Sequence, residues 1–200
     1  MKKFDIIFAI ICGLAVAWVA LDFFGIYGSI FVIIFPILSI IGLYITELIG
    51  RKLLFIYQAG KFSLSGAFAD VIDIKVFQLL FFLFAVAGYP LGLEAGVVPL
   101  FLTIKAISFL VAIFIKFWIN KHWAFEKPQK DDIKKEAIQF FFVTIAGLAL
   151  NVGSFYFFTK IIGAQFSMPI KIWTELSIIF AALTAAAWNF LGYKFIVFKK

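Results

Sequence analysis

The chain has 200 residues, of which 64% are hydrophobic and 14% charged, and its mean hydropathy is +1.10. So apolar a composition excludes a water-soluble globular domain, and at roughly 20 residues per bilayer crossing the chain holds about six spans with no length left for an extramembrane catalytic domain. The formal charge of +7 is therefore read against a membrane, as an orientation signal, and not as a nucleic-acid footprint.

In chain order, apolar stretches at residues 4–24 and 27–49 form a tight hairpin around the Gly25 to Gly28 turn, and Pro36 is expected to kink the second. Further stretches run over 62–89, 100–119, 138–161 and 172–190, so the expected fold is all-α and polytopic with six transmembrane helices. Lys2 and Lys3 precede the first span, and Arg51, Lys52 and Lys61 lie between the second and third. Lys121, Lys127, Lys130, Lys134 and Lys135 lie between the fourth and fifth, and Lys199 and Lys200 follow the sixth. The alternate loops hold few bases, chiefly Lys160, Lys171 and Lys105. The positive-inside rule then places both termini in the cytoplasm and the protein in the cytoplasmic membrane. The Met1-Lys2-Lys3 start and Ala15-Val16-Ala17 have the look of a secretory signal, but Trp18 and Leu21 continue the apolar run and the short turn after it favours a retained hairpin.

The chain also resembles itself. Lys116-Phe117-Trp118-Ile119-Asn120-Lys121-His122-Trp123-Ala124-Phe125 closes the fourth span, and Asn189-Phe190-Leu191-Gly192-Tyr193-Lys194-Phe195-Ile196-Val197-Phe198 closes the sixth, with Phe, Lys and Phe in register. Gly66 to Asp70 is matched by Gly147 to Asn151. Spans three to six read as a tandem parallel repeat of two-helix units, about 61–125 and 139–198. A lysine among aromatic rings also suits simple anchoring at the headgroup layer.

On these residues the sequence resembles the GtrA-like family of small polytopic membrane proteins, whose units each end in Asn-Phe, two spacers, a basic pair, an aromatic and a closing Phe. The resemblance covers about 57–198 and includes Ser65-Gly66-Ala67-Phe68-Ala69-Asp70-Val71-Ile72-Asp73; the hairpin at 1–50 lies outside it. Lys116 stands where the family usually has Asn, and Tyr193 where it usually has a polar residue. The resemblance implies translocation of a polyprenyl-phosphate-linked sugar for cell-envelope polysaccharide synthesis or glycosylation, or a noncatalytic anchoring or regulatory role beside a membrane glycosyltransferase. An unrelated small-solute transporter is a third reading.

Ionisable side chains inside a span cost roughly 2.5–3.5 kcal/mol and call for a partner or a polar cavity. Asp70 and Asp73 share a helical face. Lys75 lies about 140 degrees round from Asp70, so it needs another helix, the interface or an aqueous path. The candidate substrate-binding set is Asp70, Asp73, Lys75, Lys116, Asn120, Lys121, Asn151, Trp188, Asn189 and Lys194. The aspartates would accept from sugar hydroxyls or take up a proton, and the lysines and amides would donate to phosphate. The competing reading is interhelical pairing, such as Asp70 with Asn151. Arg51, Lys52, Lys121, His122 and Lys194 are expected to form a basic rim able to gather lipid phosphates, or simply to signal topology.

Asp131-Asp132 and Lys134-Lys135-Glu136 read as a solvated linker entering the fifth span, with no chemistry assigned. Gly13, Gly42, Gly66, Gly147 and Gly153 are expected at close helix contacts. The single cysteine, Cys12, and single histidine, His122, offer no metal, disulfide or redox set, and neither a Ser-His-Asp set nor a phosphate-binding loop occurs, so the reading is a nonenzymatic protein without cofactor. Expected partners are the lipid-linked sugar, membrane lipids, a glycosyltransferase and a second copy of the chain, because four family-like helices make a small pathway.

Overall fold

The computed structural model describes residues 1–89, 98–127 and 132–199. Pro128, Lys130, Asp131 and Lys200, and the side chain of Lys171, lie outside the described residues. The described chain is all helical, with no strand: α1 (Lys3–Phe24), α2 (Phe31–Gly50), α3 (Leu54–Val86), α4 (Val98–Ile119), α5 (Ile133–Tyr156) and α6 (Ile170–Gly192). A 3₁₀ turn at Gly25–Ile30 links α1 to α2, and α4, α5 and α6 run into π-helical turns at Asn120–Ala124, Phe157–Ile162 and Tyr193–Val197.

Among the described residues four helical runs are long and apolar enough to cross a bilayer: Lys3–Gly50, Leu102–Ala124, Ile133–Ile162 and Ile172–Val197. Large apolar side chains point outward along them, Trp18 at 57% exposure and Leu183 at 61% among them. Water would not tolerate such a surface, whereas hydrocarbon is its natural solvent. The chain is a multi-pass membrane protein. At 33 residues α3 is about 50 Å long, ample for the roughly 30 Å core, but its polar residues set it apart from those four runs.

The chain divides into two compact units, Met1–Glu126 and Lys127–Lys200. In the first, α1 and α2 cross where Gly13 meets Pro36, so closely that a Cβ on Gly13 would lie 2.4 Å from Pro36 Cα. Pro36 sits within an uninterrupted α2. On the α2–α3 side, Gly60 lies against Thr46 and Gly50 against Tyr57. Gly42 and Gly153 face open space, so not every glycine marks a contact.

The first unit is closed at its lysine-rich end by a buried charge cluster. Asp5, wholly buried, accepts at Oδ2 from the Tyr57 hydroxyl (2.6 Å) and the Lys2 backbone N–H (3.0 Å). At Oδ1 it accepts from the Trp123 indole (2.7 Å) and faces the Lys61 ammonium at 3.4 Å. Lys61 donates to Glu126 (2.9 Å), lies 4.5 Å from the Tyr57 ring centre, and shares Glu126 with Lys2 (3.0 Å). The N-terminal ammonium donates to Glu47 (2.6 Å). Above this cluster Ala9, Leu43 and Trp123 form an apolar core with Phe8, Tyr57, Leu64 and Ile119 around it. The cluster therefore joins α1, α3 and the end of α4.

Three expectations are corrected here. Lys61 is not a loop base but a fully buried residue of α3, held by the α1 carboxylate. Lys121 does not stand on an open rim, being 1% exposed. Trp123, Phe125, Tyr193 and Phe198 are buried and not headgroup anchors. The π turns account for the last two: their i to i+5 bonds, Phe125 N–H to Asn120 C=O (2.9 Å) and Phe198 N–H to Tyr193 C=O (2.7 Å), widen the last turn and fold its side chains inward.

In the second unit α5 and α6 pack through Phe140, stacked on Tyr193 at 4.1 Å between ring centres. The Tyr193 hydroxyl meets Thr144 Oγ1 at 2.6 Å, and Gly192 admits Val143.

Breaking a buried ion pair by removing one partner costs about 3–5 kcal/mol. Lys61→Met should therefore lower the thermal midpoint of the detergent-solubilised protein strongly, and Asp5→Asn in the same chain should restore part of the loss. A midpoint unchanged by Lys61→Met would show that the cluster does not close the unit.

Burial pushes the Glu126 carboxyl up, but hydrogen bonds from Lys61 and Lys2 and their charges outweigh it and hold it below its ordinary 4.5. A depressed carboxyl contributes stability that is complete above its unfolded value and lost as pH falls through the folded one. Thermal midpoints should thus decline on acidification below about 4.5, and Glu126→Gln should flatten that decline.

Candidate functional site

Along α3 the residues Gly66, Asp70 and Asp73 are spaced by four and three, and along α4 Lys105, Ser108, Ala112 and Lys116 are spaced by three, four and four. Each set forms one stripe of its helix. The helices run antiparallel, so Asp73 meets Lys105 and Ser108 while Gly66 meets Lys116.

The pairing is uneven. Asp73 forms an ion pair with Lys105 and accepts from the Ser108 hydroxyl at 2.6 Å. Lys75 turns to the other side of α3 and pairs with Asp22 of α1, where Gln78 also donates to the same oxygen (3.1 Å) and the Trp18 ring lies 4.3 Å from the ammonium. Of the three expectations for Lys75, another helix, the interface or an aqueous path, the structure shows the first, through Asp22, a residue the sequence reading passed over.

Asp70 and Lys116 differ from these. Among the described residues neither has a hydrogen bond or an ion pair, although each feels the other's charge. Asp70 is exposed at the α3 surface; Lys116 is half-buried, with its Nζ 4.0 Å from where a Cβ of Gly66 would stand and 5.7 Å from the Phe62 ring centre. The two small residues, Gly66 and Ala112, keep side-chain bulk out of this interval. What results is an acceptor and a donor of opposite charge on one seam, each within the other's field but with no contact of hydrogen-bond or ion-pair length among the described residues.

The remaining predicted residues fall into place less uniformly. Asn120 is fully buried and its Oδ1 accepts from Ser65 (2.8 Å), leaving Nδ2 without a hydrogen-bond partner. Lys121 is buried beside it in the π turn. In the second unit Asn189 abuts Gly147, whose Cβ would lie 2.3 Å from Asn189 Oδ1, and that oxygen is buried without a hydrogen bond. Trp188, 39% exposed, donates to the Val143 carbonyl at 3.1 Å, which fixes the indole plane. Lys194 lies near the Phe190 and Phe195 rings, and Asn151 is half-buried on α5. His122 stacks on Trp118 at 5.2 Å between ring centres. The predicted residues thus do not form a single constellation: within the first unit the structure brings Asp70, Asp73 and Lys116 onto one α3–α4 seam.

Sequence reading missed Asp5, Asp22, Tyr57 and Glu126. The signal for two of them was present, since Asp5 and Asp22 both lie inside the apolar stretch 4–24 and carry the same cost that singled out Asp70.

Residues 61–198 match the model of a protein family, GtrA/DPMS, transmembrane domain. No curated protein and no solved structure gives a significant match.

The unequal pairing separates structural from available charge. Asp73→Asn, which strands Lys105, should lower the thermal midpoint in detergent by several degrees, whereas Asp70→Asn should leave it within about one degree. Equal losses from the two would mean that Asp70 is as tightly bound into the fold as Asp73.

Proposed function

We propose, on the premise that the chain belongs to the GtrA/DPMS transmembrane-domain family, that it moves a polyprenyl-phosphate-linked sugar across the cytoplasmic membrane for envelope polysaccharide synthesis or glycosylation. The observation that carries this reading is that, among the described residues, Asp70 and Lys116 form no hydrogen bond or ion pair, whereas the other Asp and Lys side chains of α3, Lys61, Asp73 and Lys75, are paired. Lys116 supplies a cation for the phosphate, and Asp70 an acceptor for sugar hydroxyls, the division of labour an amphipathic lipid-linked sugar requires. Asp70 is exposed at the helix surface, where a lipid-borne head can enter sideways while its prenyl chain stays in hydrocarbon. The protein acts as a carrier without covalent chemistry, and no cofactor takes part.

Six helices cross the bilayer in this reading, with both termini cytoplasmic because the lysine-rich connections alternate. The family region is a tandem of two-helix units. Support comes from internal parallels: α4 and α6 each end in a π turn, at Asn120–Ala124 and Tyr193–Val197. In each unit a glycine of the first helix also faces a polar side chain of the second, Gly66 with Lys116 and Gly147 with Asn189.

The test is sidedness of a fluorescent polyprenyl-phosphate sugar in sealed proteoliposomes. The native protein should flip it, and Asp70→Asn and Lys116→Met should each reduce the rate at least tenfold, the loss of about 1.4 kcal/mol of ligand interaction, with the thermal midpoint preserved for Asp70→Asn and preserved or raised for Lys116→Met. Folded native protein that flips nothing would overturn the carrier reading in favour of a noncatalytic subunit of a membrane glycosyltransferase.

A further inference from the structure

The second unit contains a cavity of about 430 Å³ where the first turns of α5 meet the π turn after α6. Lys127, Lys135, Gln139 and Lys199 line it, with Phe195 and Ile196 on its apolar side. Two acids also border it, and both are engaged within the fold. Glu136, 5% exposed, pairs with Lys127 at 3.0 Å, and Asp132 caps α5 by accepting from the Lys135 backbone N–H at 3.3 Å. Glu136 lies in the first turn of α5, where the sequence places an acid at the start of the fifth span. Lys135 and Lys199 keep their ammonium groups without an ion pair among the described residues, and the Gln139 side chain adds a donor beside them.

We propose that this cavity binds the phosphate of an anionic phospholipid drawn from the leaflet on the lysine-rich side. A volume of a few hundred Å³ suits a phosphodiester with its glycerol and headgroup. The cation pair and Gln139 supply charge and donors for the phosphate oxygens. The apolar side argues for a lipid over a free anion: Phe195 and Ile196 are 61% and 47% exposed and continue into the surface where acyl chains lie. The cavity shares no residue with the Asp70–Lys116 seam, and the proposal does not depend on whether that seam carries a sugar lipid.

The test is lipid binding to the full chain in neutral detergent, measured by native mass spectrometry during titration with dioleoyl phosphatidylglycerol or dioleoyl phosphatidylcholine. The native protein should prefer the glycerol lipid, and Lys135→Gln with Lys199→Gln should weaken that binding about 30-fold, from roughly tenfold or less per lysine, while leaving the choline lipid and the thermal midpoint unchanged. A control pair, Lys52→Gln with Lys134→Gln, removes two exposed lysines that do not line the cavity and should change little. Equal losses from both pairs would replace the cavity by a diffuse basic surface. Displacement of the lipid by millimolar inorganic phosphate would make it a free-anion site and overturn the lipid assignment, as would equal affinity for the two lipids.

Discussion

A charge carried into hydrocarbon must bring its own solvation, and the first unit is organised around that requirement. Asp5 is the plainest case: a carboxylate with no exposed surface, surrounded by the Trp123 indole after α4, the Tyr57 phenol and Lys61 ammonium of α3, and the backbone amide of Lys2 at the start of α1. Because those donors come from α3 and the end of α4, the carboxylate cannot be satisfied unless the hairpin is seated. Neutral apolar residues would bury as much area, but they would allow α1 to slide. A hydrogen-bonded charge fixes one register, since any displacement leaves a desolvated ion.

The same requirement repeats further along α1 and α3. Asp22 meets Lys75 one face away from where Asp73 meets Lys105, so α3 is held by charge on two sides at similar depth. These pairs offer less evidence of stabilisation than of alignment, because the attraction in low dielectric is spent largely on recovering lost hydration. What they accomplish is to make the orientation of α3 unambiguous. A helix so pinned presents Asp70 at a defined place, which is what the proposed binding seam requires of its scaffold.

The helices themselves were legible because hydropathy in lipid is nearly a sufficient signal: the six expected stretches each fall within or largely overlap a described helix. Asp70, Asp73 and Lys75 were legible as a problem, since charge at membrane depth demands a partner, and spacing excluded Lys75 from the aspartates' face. The partners were not legible in the same way. Spacing along one helix says which side chains share a face, but it says nothing about which residue of a distant helix arrives opposite. Hence the sequence leaves Lys105 between a loop and the fourth span and sets Lys61 among the surface bases, whereas both pair with aspartates inside the first unit. The π turns were hidden for a different reason: Phe, Lys and Phe recur in the sequence at the ends of α4 and α6, but a shift from i+4 to i+5 bonding leaves no compositional trace.

Two glycine contacts, Gly147 with Asn189 and Gly66 with Lys116, differ in what they ask of the polar side chain. Asn189 occupies its position by fitting against Gly147 so closely that a methyl group there would collide with the amide, and its oxygen stays buried. At the corresponding position Lys116 faces Gly66, and its ammonium stands 4.0 Å from the space that a methyl group would fill. A neutral amide can be buried against a glycine at modest cost; an ammonium in the same setting keeps most of its desolvation penalty unless an anion approaches. Asp70 lowers that penalty by its field without cancelling it by contact. On the proposed carrier reading, the lysine at this site is costly to the empty protein and favourable to one that holds a phosphate, and its presence in place of an amide would then follow from binding and not from helix packing.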